Sequence, residues 1–290
     1  MKRCSMYMLL LFAVALGTRI SAPAQAGQES GARLSEPCLS RVEVACEQLR
    51  MGVDAYRDAN FAEAAFHFRN AAELDSSFLQ AQLYLGTALA QQYVPGGESP
   101  ENLRVAAQAI AAFEAALEQD AKNETALASL AQIYFNLKRF DKAKEYQQRR
   151  IDSDPANPEP YYWIGVLDWA LCFPRQMKLR RDLKLDSPQD PEEPGVLPPL
   201  PEDARGRLAA ENGEAVEEGI RDLEKAIELK PDNWDAMAYL NLLYRQKADL
   251  EAEEVARQND LRIAQEWVDK AIAIRKKKTS PPSDQEGPQQ

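Results

Sequence analysis

The chain has 290 residues, a formal net charge of −11 and a hydrophobic fraction of 45%. That fraction is ordinary for a packed globular chain, so the composition excludes a wholly disordered protein. The acidic balance argues against binding to nucleic acid or to anionic membranes, because both require a concentrated positive field.

The first 26 residues have the order of a secretory signal peptide. Lys2 and Arg3 precede an apolar run at residues 6–16, and a small-residue segment ends in A-Q-A at Ala26. The run is too short to span a bilayer, which takes about 20 apolar residues. We therefore expect cleavage after Ala26 and an exported chain, periplasmic or secreted, with no membrane span after cleavage. Residues 1–26 carry three bases and no acids, so the expected mature net charge is −14.

Three cysteines would remain after cleavage, Cys38, Cys46 and Cys172. Cys38 and Cys46 are eight residues apart, which in one helix would place their α-carbons ~12 Å apart, too far for a disulfide. They can pair only if Cys38 lies outside the helix that carries Cys46. Three unpaired thiols are an equally acceptable interpretation, so the pairing stays open.

The clearest helical pattern spans residues 124–157. Leu130, Ala131 and Tyr134 recur at three- and four-residue spacing and form one helical stripe, which a short polar segment then breaks. A second helix is expected to end before Pro155, because the residue ahead of a proline disfavours helix. The segment therefore predicts two helices joined by a short turn.

A small residue recurs in each predicted second helix. The differences between successive positions are 45, 34, 76 and 45, which fit a period of 34 residues with 11, 42 and 11 residues inserted inside three of five hairpins. Small residues are needed where two helix backbones approach closely. The five positions are Ala64, Ala109, Ala143, Gly219 and Ala264.

This pattern resembles the tetratricopeptide repeat (TPR), a pair of antiparallel helices with small residues at their crossing and an aromatic ring beside it. Residues 161–169, 217–220 and 235–245 look like a group of bacterial exported TPR proteins. The resemblance implies an all-α fold, an α-solenoid of about five helix hairpins, three of which carry insertions. The predicted organisation is a flexible lead at 27–44, a solenoid at 45–278 with units at about 45–78, 79–123, 124–157, 158–233 and 234–278, a proline-rich insertion loop at about 186–203, and a disordered tail at 279–290.

No catalytic or metal-binding pattern is recognisable in the sequence. His67, the one histidine, lies between Phe66 and Phe68, so it reads as a packing residue rather than as a ligand or a base. Phosphate-binding glycine loops are also missing. We therefore expect no enzyme activity, no cofactor and no metal.

The resemblance implies that the first helices of the hairpins line a groove. Placing Leu130, Ala131 and Tyr134 in the packed stripe leaves other residues for a protein or peptide partner. Rings supply contact area, amides bind a peptide backbone, and arginine meets carboxylates. The same offset also places Leu49 and Val166 in the groove. The predicted partner-binding residues are Tyr56, Arg57, Gln132, Phe135, Asn136, Tyr162, Trp169 and Arg245.

Two interpretations stay open for the aromatic residues and the long insertion. The rings of Tyr56, Tyr162 and Trp169 can instead pack against inserted residues, which we favour for Trp169 because the 42-residue insertion at about 170–213 follows it directly. The basic cluster at residues 175–184 can dock an acidic partner or neutralise the chain's own acidic helices, and we lean to the second.

The predicted function is a non-catalytic protein–protein interaction scaffold that binds its partner in the groove. The alternative is a protein that binds a small ligand or an envelope glycan through the aromatic cluster Tyr161–Trp169 and its insertion. The sequence identifies neither the partner nor the oligomeric state.

Overall fold

The computed structural model describes residues 43–188 and 196–279, so the predicted signal peptide, nearly all of the predicted lead, part of the proline-rich loop and nearly all of the tail lie outside the described residues. The described residues form ten α-helices and no strand, which confirms the predicted all-α fold class. None of these helices is both long enough and apolar enough to cross a membrane. The helices are α1 (Glu43–Arg57), α2 (Phe61–Leu74), α3 (Leu79–Gln92), α4 (Pro100–Gln119), α5 (Glu124–Asn136), α6 (Phe140–Ser153), α7 (Pro158–Asp182), α8 (Glu202–Leu229), α9 (Trp234–Ala248) and α10 (Glu254–Thr279).

Local sequence signals set the ends of these helices. Side chains of Asn60, Ser99, Asn157 and Asn233 accept hydrogen bonds from backbone N–H groups in the first turns of α2, α4, α7 and α9. These groups have no partner inside the helix, so the caps stabilise each start by about 1 kcal/mol. The boundaries of the hairpins are therefore encoded locally.

The two hairpins without insertions close with the same turn. Ala59 and Lys138 both adopt a left-handed backbone, with φ of 59° and 57°. Each lies five residues before the small residue of its second helix, Ala64 or Ala143, so the repeat includes the turn as well as the helices.

The structure divides into two compact units, Met1–Ser129 and Leu130–Gln290. In the first unit, glycines of the first helices receive rings of the second helices. A Cβ on Gly52 would lie 2.5 Å from the Phe68 ring, and one on Gly86 would lie 2.8 Å from the Phe113 ring. These distances are shorter than carbon atoms tolerate, so only glycine permits the two helices to approach this closely.

The second unit keeps this packing with different residues. The rings of Tyr134 and Tyr146 stack at 5.6 Å, so Tyr146 supplies the ring that α6 otherwise lacks. In the next hairpin a Cβ on Gly165 would overlap the side chain of Leu223. Gly219, on the other helix of that hairpin, is likewise close to Leu243.

The long insertion lengthens two helices instead of forming one long loop. Helix α7 continues for 25 residues and α8 for 28, so most of the inserted residues are helical. The two extensions are joined by Cys172 and Asn212, because the Asn212 amide donates to the Cys172 carbonyl at 3.2 Å. Both side chains are buried.

Buried arginines hold the described ends of the connection between α7 and α8. Arg180 is 0% exposed and forms two hydrogen bonds with the carboxylate of Asp249. Its remaining nitrogen donates to the carbonyls of Leu185 at 2.9 Å and Pro198 at 3.1 Å. Arg257 of α10 donates to the Leu197 carbonyl at 2.6 Å. Arg180, from the predicted basic cluster, thus neutralises an acid of the chain itself.

Candidate functional site

Six aromatic side chains of the second unit form a continuous line of ring contacts, which we call the aromatic band. All but Tyr239 are half-buried, so part of each ring stays exposed. Successive ring centroids lie 5.1–5.9 Å apart, within the range of favourable aromatic pairs. In order of contact the band consists of Phe135, Trp163, Tyr162, Tyr239, Trp169 and Phe173.

The spacing of the aromatic residues along α7 explains why they belong to one band. Tyr162 and Trp169 are seven residues apart on α7, two turns of helix, so they lie on one face. Tyr239 of α9 packs against both, with edge contacts at 5.9 Å and 5.4 Å. Trp169 also stacks on Phe173, which belongs to the inserted residues. That contact agrees with the expectation that Trp169 packs against the insertion.

The band is an apolar surface with a carboxylate near its two central rings. Burial, together with a smaller effect of the nearby Asp235 carboxylate, raises the pKa of Tyr239 to about 12. The pKa of Tyr162 is raised beyond its usual range by burial, by Tyr239 and by Asp235. Both phenols are therefore neutral at ordinary pH. The indole N–H of Trp169 is buried and has no hydrogen-bond partner within the described residues.

Other predicted site residues lie close to members of the band along the chain. Gln132 donates to the Asn136 side chain at 3.2 Å, and both flank Phe135 on α5. Arg245 of α9 is half-buried and donates to Asn241 at 2.9 Å. Burial lowers the pKa of Arg245.

The remaining predicted site residues belong to the first unit. Tyr56 packs edge-on against Phe61 at 5.2 Å, and burial raises its pKa. Arg57 is exposed and lies 3.7 Å from Asp54. Their role in partner binding stays a prediction.

The expectation that Leu49 and Val166 line a groove is wrong. Each is 2% exposed, and Val166 belongs to the apolar core of the second unit. A helix inside a stack of hairpins contacts neighbours on two sides, so a single packed stripe underestimates its buried surface.

Sequence reasoning also missed two rings and one acid. Trp163 was included only in the cluster Tyr161–Trp169 of the alternative function, Tyr239 was assigned to no site, and Phe173 lies in the insertion, whose conformation was not predicted. Asp235 is four residues before Tyr239, a spacing that places both on one helix face. The signal for Phe173 was its place four residues beyond Trp169 and eleven beyond Tyr162, a spacing that keeps all three rings on one helix face.

A polar cluster lies at the crossing of α6, α7 and α8. The ammonium of Lys144 is 2.7 Å from Asp168 and 2.9 Å from Glu218. Asp168 is 0% exposed, and burial raises its pKa to about 7 despite the contact with Lys144. Asp222 is nearby, and its pKa is raised to about 6, chiefly by burial. The cluster holds more carboxylates than cations.

Metal ligands and the lone histidine add no further candidate. Within residues 43–188 and 196–279, no group of three or more His, Cys, Asp or Glu side chains is arranged to hold a metal ion. His67 is buried and shares a hydrogen bond of 2.8 Å with Gln48, as expected of a packing residue.

Hairpins of two antiparallel helices, with a glycine or alanine at each crossing and a large side chain filling the space beside it, define the class of helical repeat proteins. Residues 106–164 match the family model of the tetratricopeptide repeat. The resemblance to TPR proteins is thereby confirmed, and the TPR fold suggests a protein–protein interaction scaffold. No curated protein gives a significant match to this chain.

Solved structures of TPR proteins share the fold. MamA protein is 16% identical, with a TM-score of 0.53 over 83% of this chain and 98% of its own. A MamA fragment from Desulfovibrio magneticus RS-1 is also 16% identical, with a TM-score of 0.53 over 82% of this chain and 99% of its own. YrrB, described as a TPR protein with an unusual peptide-binding site, is 17% identical, with a TM-score of 0.50 over 84% and 92%. At these identities the likeness establishes the fold alone.

Proposed function

We propose that the chain is a non-catalytic scaffold that binds an extended segment of a partner protein across the aromatic band. The observation that carries the proposal is the unbroken line of six rings on α5, α7 and α9, most of them partly exposed. Partly exposed aromatic rings are enriched at protein interfaces, because they supply a large contact area at low conformational-entropy cost.

The polar groups beside the band suit a peptide backbone. The half-buried amides of Gln132 and Asn136 flank Phe135. A peptide offers a carbonyl or an N–H at each residue, and it can therefore satisfy such groups. The peptide-binding site of YrrB supports this proposal as an analogy of fold only.

We also propose that the protein acts outside the cytoplasm. The support is the order of charge, apolar run and A-Q-A site in residues 1–26. Fractionation followed by N-terminal sequencing tests this, and a mature chain that starts at Gly27 is expected. A chain retained in the cytoplasm with its first residues intact would refute export.

Photo-crosslinking tests the aromatic band directly. A benzoylphenylalanine in place of Trp163 should form covalent adducts with a polypeptide from the exported fraction. The same residue in place of Val255, which is 83% exposed on α10, is the control and should form few adducts. Equal yields at the two positions would contradict the assignment of the band.

The same experiment separates the two classes of function. Adducts that a protease removes indicate a protein partner. Adducts that resist proteases and are shortened by glycosidases would favour the alternative, a glycan-binding protein that uses Tyr161–Trp169. Aromatic faces can stack on either class of ligand, so the chemistry of the adduct decides between them.

A further inference from the structure

A carboxylate lies near the middle pair of the aromatic band, Tyr162 and Tyr239. Asp235 is in the first turn of α9, four residues before Tyr239, so the two side chains share a helix face. Tyr239 uses this face to contact Tyr162 of α7. The charge of Asp235 reaches both rings, because it contributes to the raised pKa of each phenol.

Asp235 itself is half-buried, and no hydrogen bond contributes to the shift of its pKa. Burial is the largest effect on its pKa, which is raised, although three cations in its surroundings act in the opposite direction. These cations are Arg275, Lys230 and Lys278. Of the three, Lys278 is also paired with Asp232 at 2.7 Å. A partly buried carboxylate of this kind is stabilised by a positive group that approaches it closely.

The rings beside Asp235 favour the same kind of group. The faces of Tyr and Trp rings carry negative electrostatic potential and attract ammonium and guanidinium groups. An acidic side chain would instead meet repulsion from Asp235 and from the ring faces. The net charge of −11 further favours the approach of a basic partner.

We propose that the partner segment bound at the band contributes a lysine or arginine side chain, which lies over the exposed part of the Tyr162 ring, beside Tyr239, with its charge towards Asp235. The proposal rests on the proposed function and adds the chemistry of the partner, a basic extended segment. The methylene groups of such a side chain cover the apolar rings while the charged end meets the carboxylate.

Fluorescence anisotropy with defined peptides tests the proposal on the full mature chain. The probes are three short fluorescein-labelled peptides that differ only in their alternate residues, which are lysine, norleucine or glutamate. Norleucine resembles lysine in length but lacks the charge, so it separates the cation from the apolar stem. The lysine peptide should bind about tenfold more tightly than the norleucine peptide, and the glutamate peptide should bind least.

Two matched variants locate the preference. Asp235→Asn removes the carboxylate without changing its shape and should abolish most of the preference for lysine. Glu202→Gln removes an exposed carboxylate from the first turn of α8, so it controls for net charge and for the helix dipole. It should leave the preference unchanged. Equal effects of the two variants would overturn the proposal, because the preference would then reflect net charge alone.

The outcomes also separate this proposal from the proposed function. If lysine and norleucine peptides bind equally well to the unmodified chain, the cation proposal is wrong. If Trp163→Leu weakens that binding, the band remains a peptide site and the proposed function stands. If no peptide binds at all, the cation proposal is also wrong, and the crosslinking experiment alone decides on the band.

Discussion

The hairpins α1–α2 and α7–α8 share the same kind of helix crossing but differ in the length of their helices. In both, a glycine of the first helix meets a large side chain of the second, Phe68 against Gly52 and Leu223 against Gly165. The short hairpin adds a left-handed turn and the hydrogen bonds of Gln48 with His67 and Asn70. The long one also buries Asp168 and Arg180. The two helices of the short hairpin therefore pack together without a buried ion pair. The longer helices have a buried ion pair at each end of the extension.

The largest effect is expected from the ion pair at the far end of the long hairpin. Arg180→Met leaves the Asp249 carboxylate buried without its cation, which should reduce the free energy of unfolding by about 4 kcal/mol. Lys178→Met, which removes an exposed pair with Asp182, is the control and should cost less than about 1 kcal/mol. Denaturant unfolding measures both. If both variants reduce the free energy of unfolding by similar, small amounts, Arg180 is not needed to hold the insertion.

The crossing itself is expected to give the next largest effect. Gly165→Leu forces a side chain into Leu223 and should destabilise the second unit by about 3 kcal/mol or more. Gly206→Leu is the matched control on α8, because a Cβ there meets nothing within 4 Å. That control should be neutral or slightly stabilising, since leucine favours helix over glycine. An unchanged melting curve for Gly165→Leu would refute the packing model of the hairpin.

The sequence predicted these crossings well but predicted the extension poorly. Glycine and alanine at fixed offsets are local signals, and they identified Gly219 and the four matching alanines without a structure. The ion pair of Arg180 with Asp249 joins residues 69 positions apart, and no local sequence pattern predicts that the two residues are in contact. The helical conformation of the insertion was not predicted, because repeat spacing gives the length of an insertion and not its conformation. Phe173 was missing from the predicted site because it belongs to that insertion, whereas Tyr239 was missing because its two ring partners on α7 are distant in sequence.

The smallest effect concerns the near end of the extension and depends on pH. Asp168 has a pKa of about 7 in the folded chain, above its ordinary value of 3.8, because burial disfavours the charged form. A raised pKa means that the folded chain binds this proton more tightly than the unfolded chain does. The contribution of Asp168 to stability is therefore most favourable below about pH 4 and is lost as the pH rises towards 7.

Asp168→Asn removes this titration and keeps the shape of the side chain. The difference in unfolding free energy between the variant and the wild type should therefore shift in favour of the variant as the pH rises from about 4 to about 7. Asp260, whose pKa is raised to about 6, does not interact with Asp168, so its titration is the same in both chains and cancels in the comparison. Denaturant unfolding at several pH values gives the difference. A constant difference across this range would mean that Lys144 keeps Asp168 ionised throughout, and the near end of the extension would then be an ordinary ion pair like the far one.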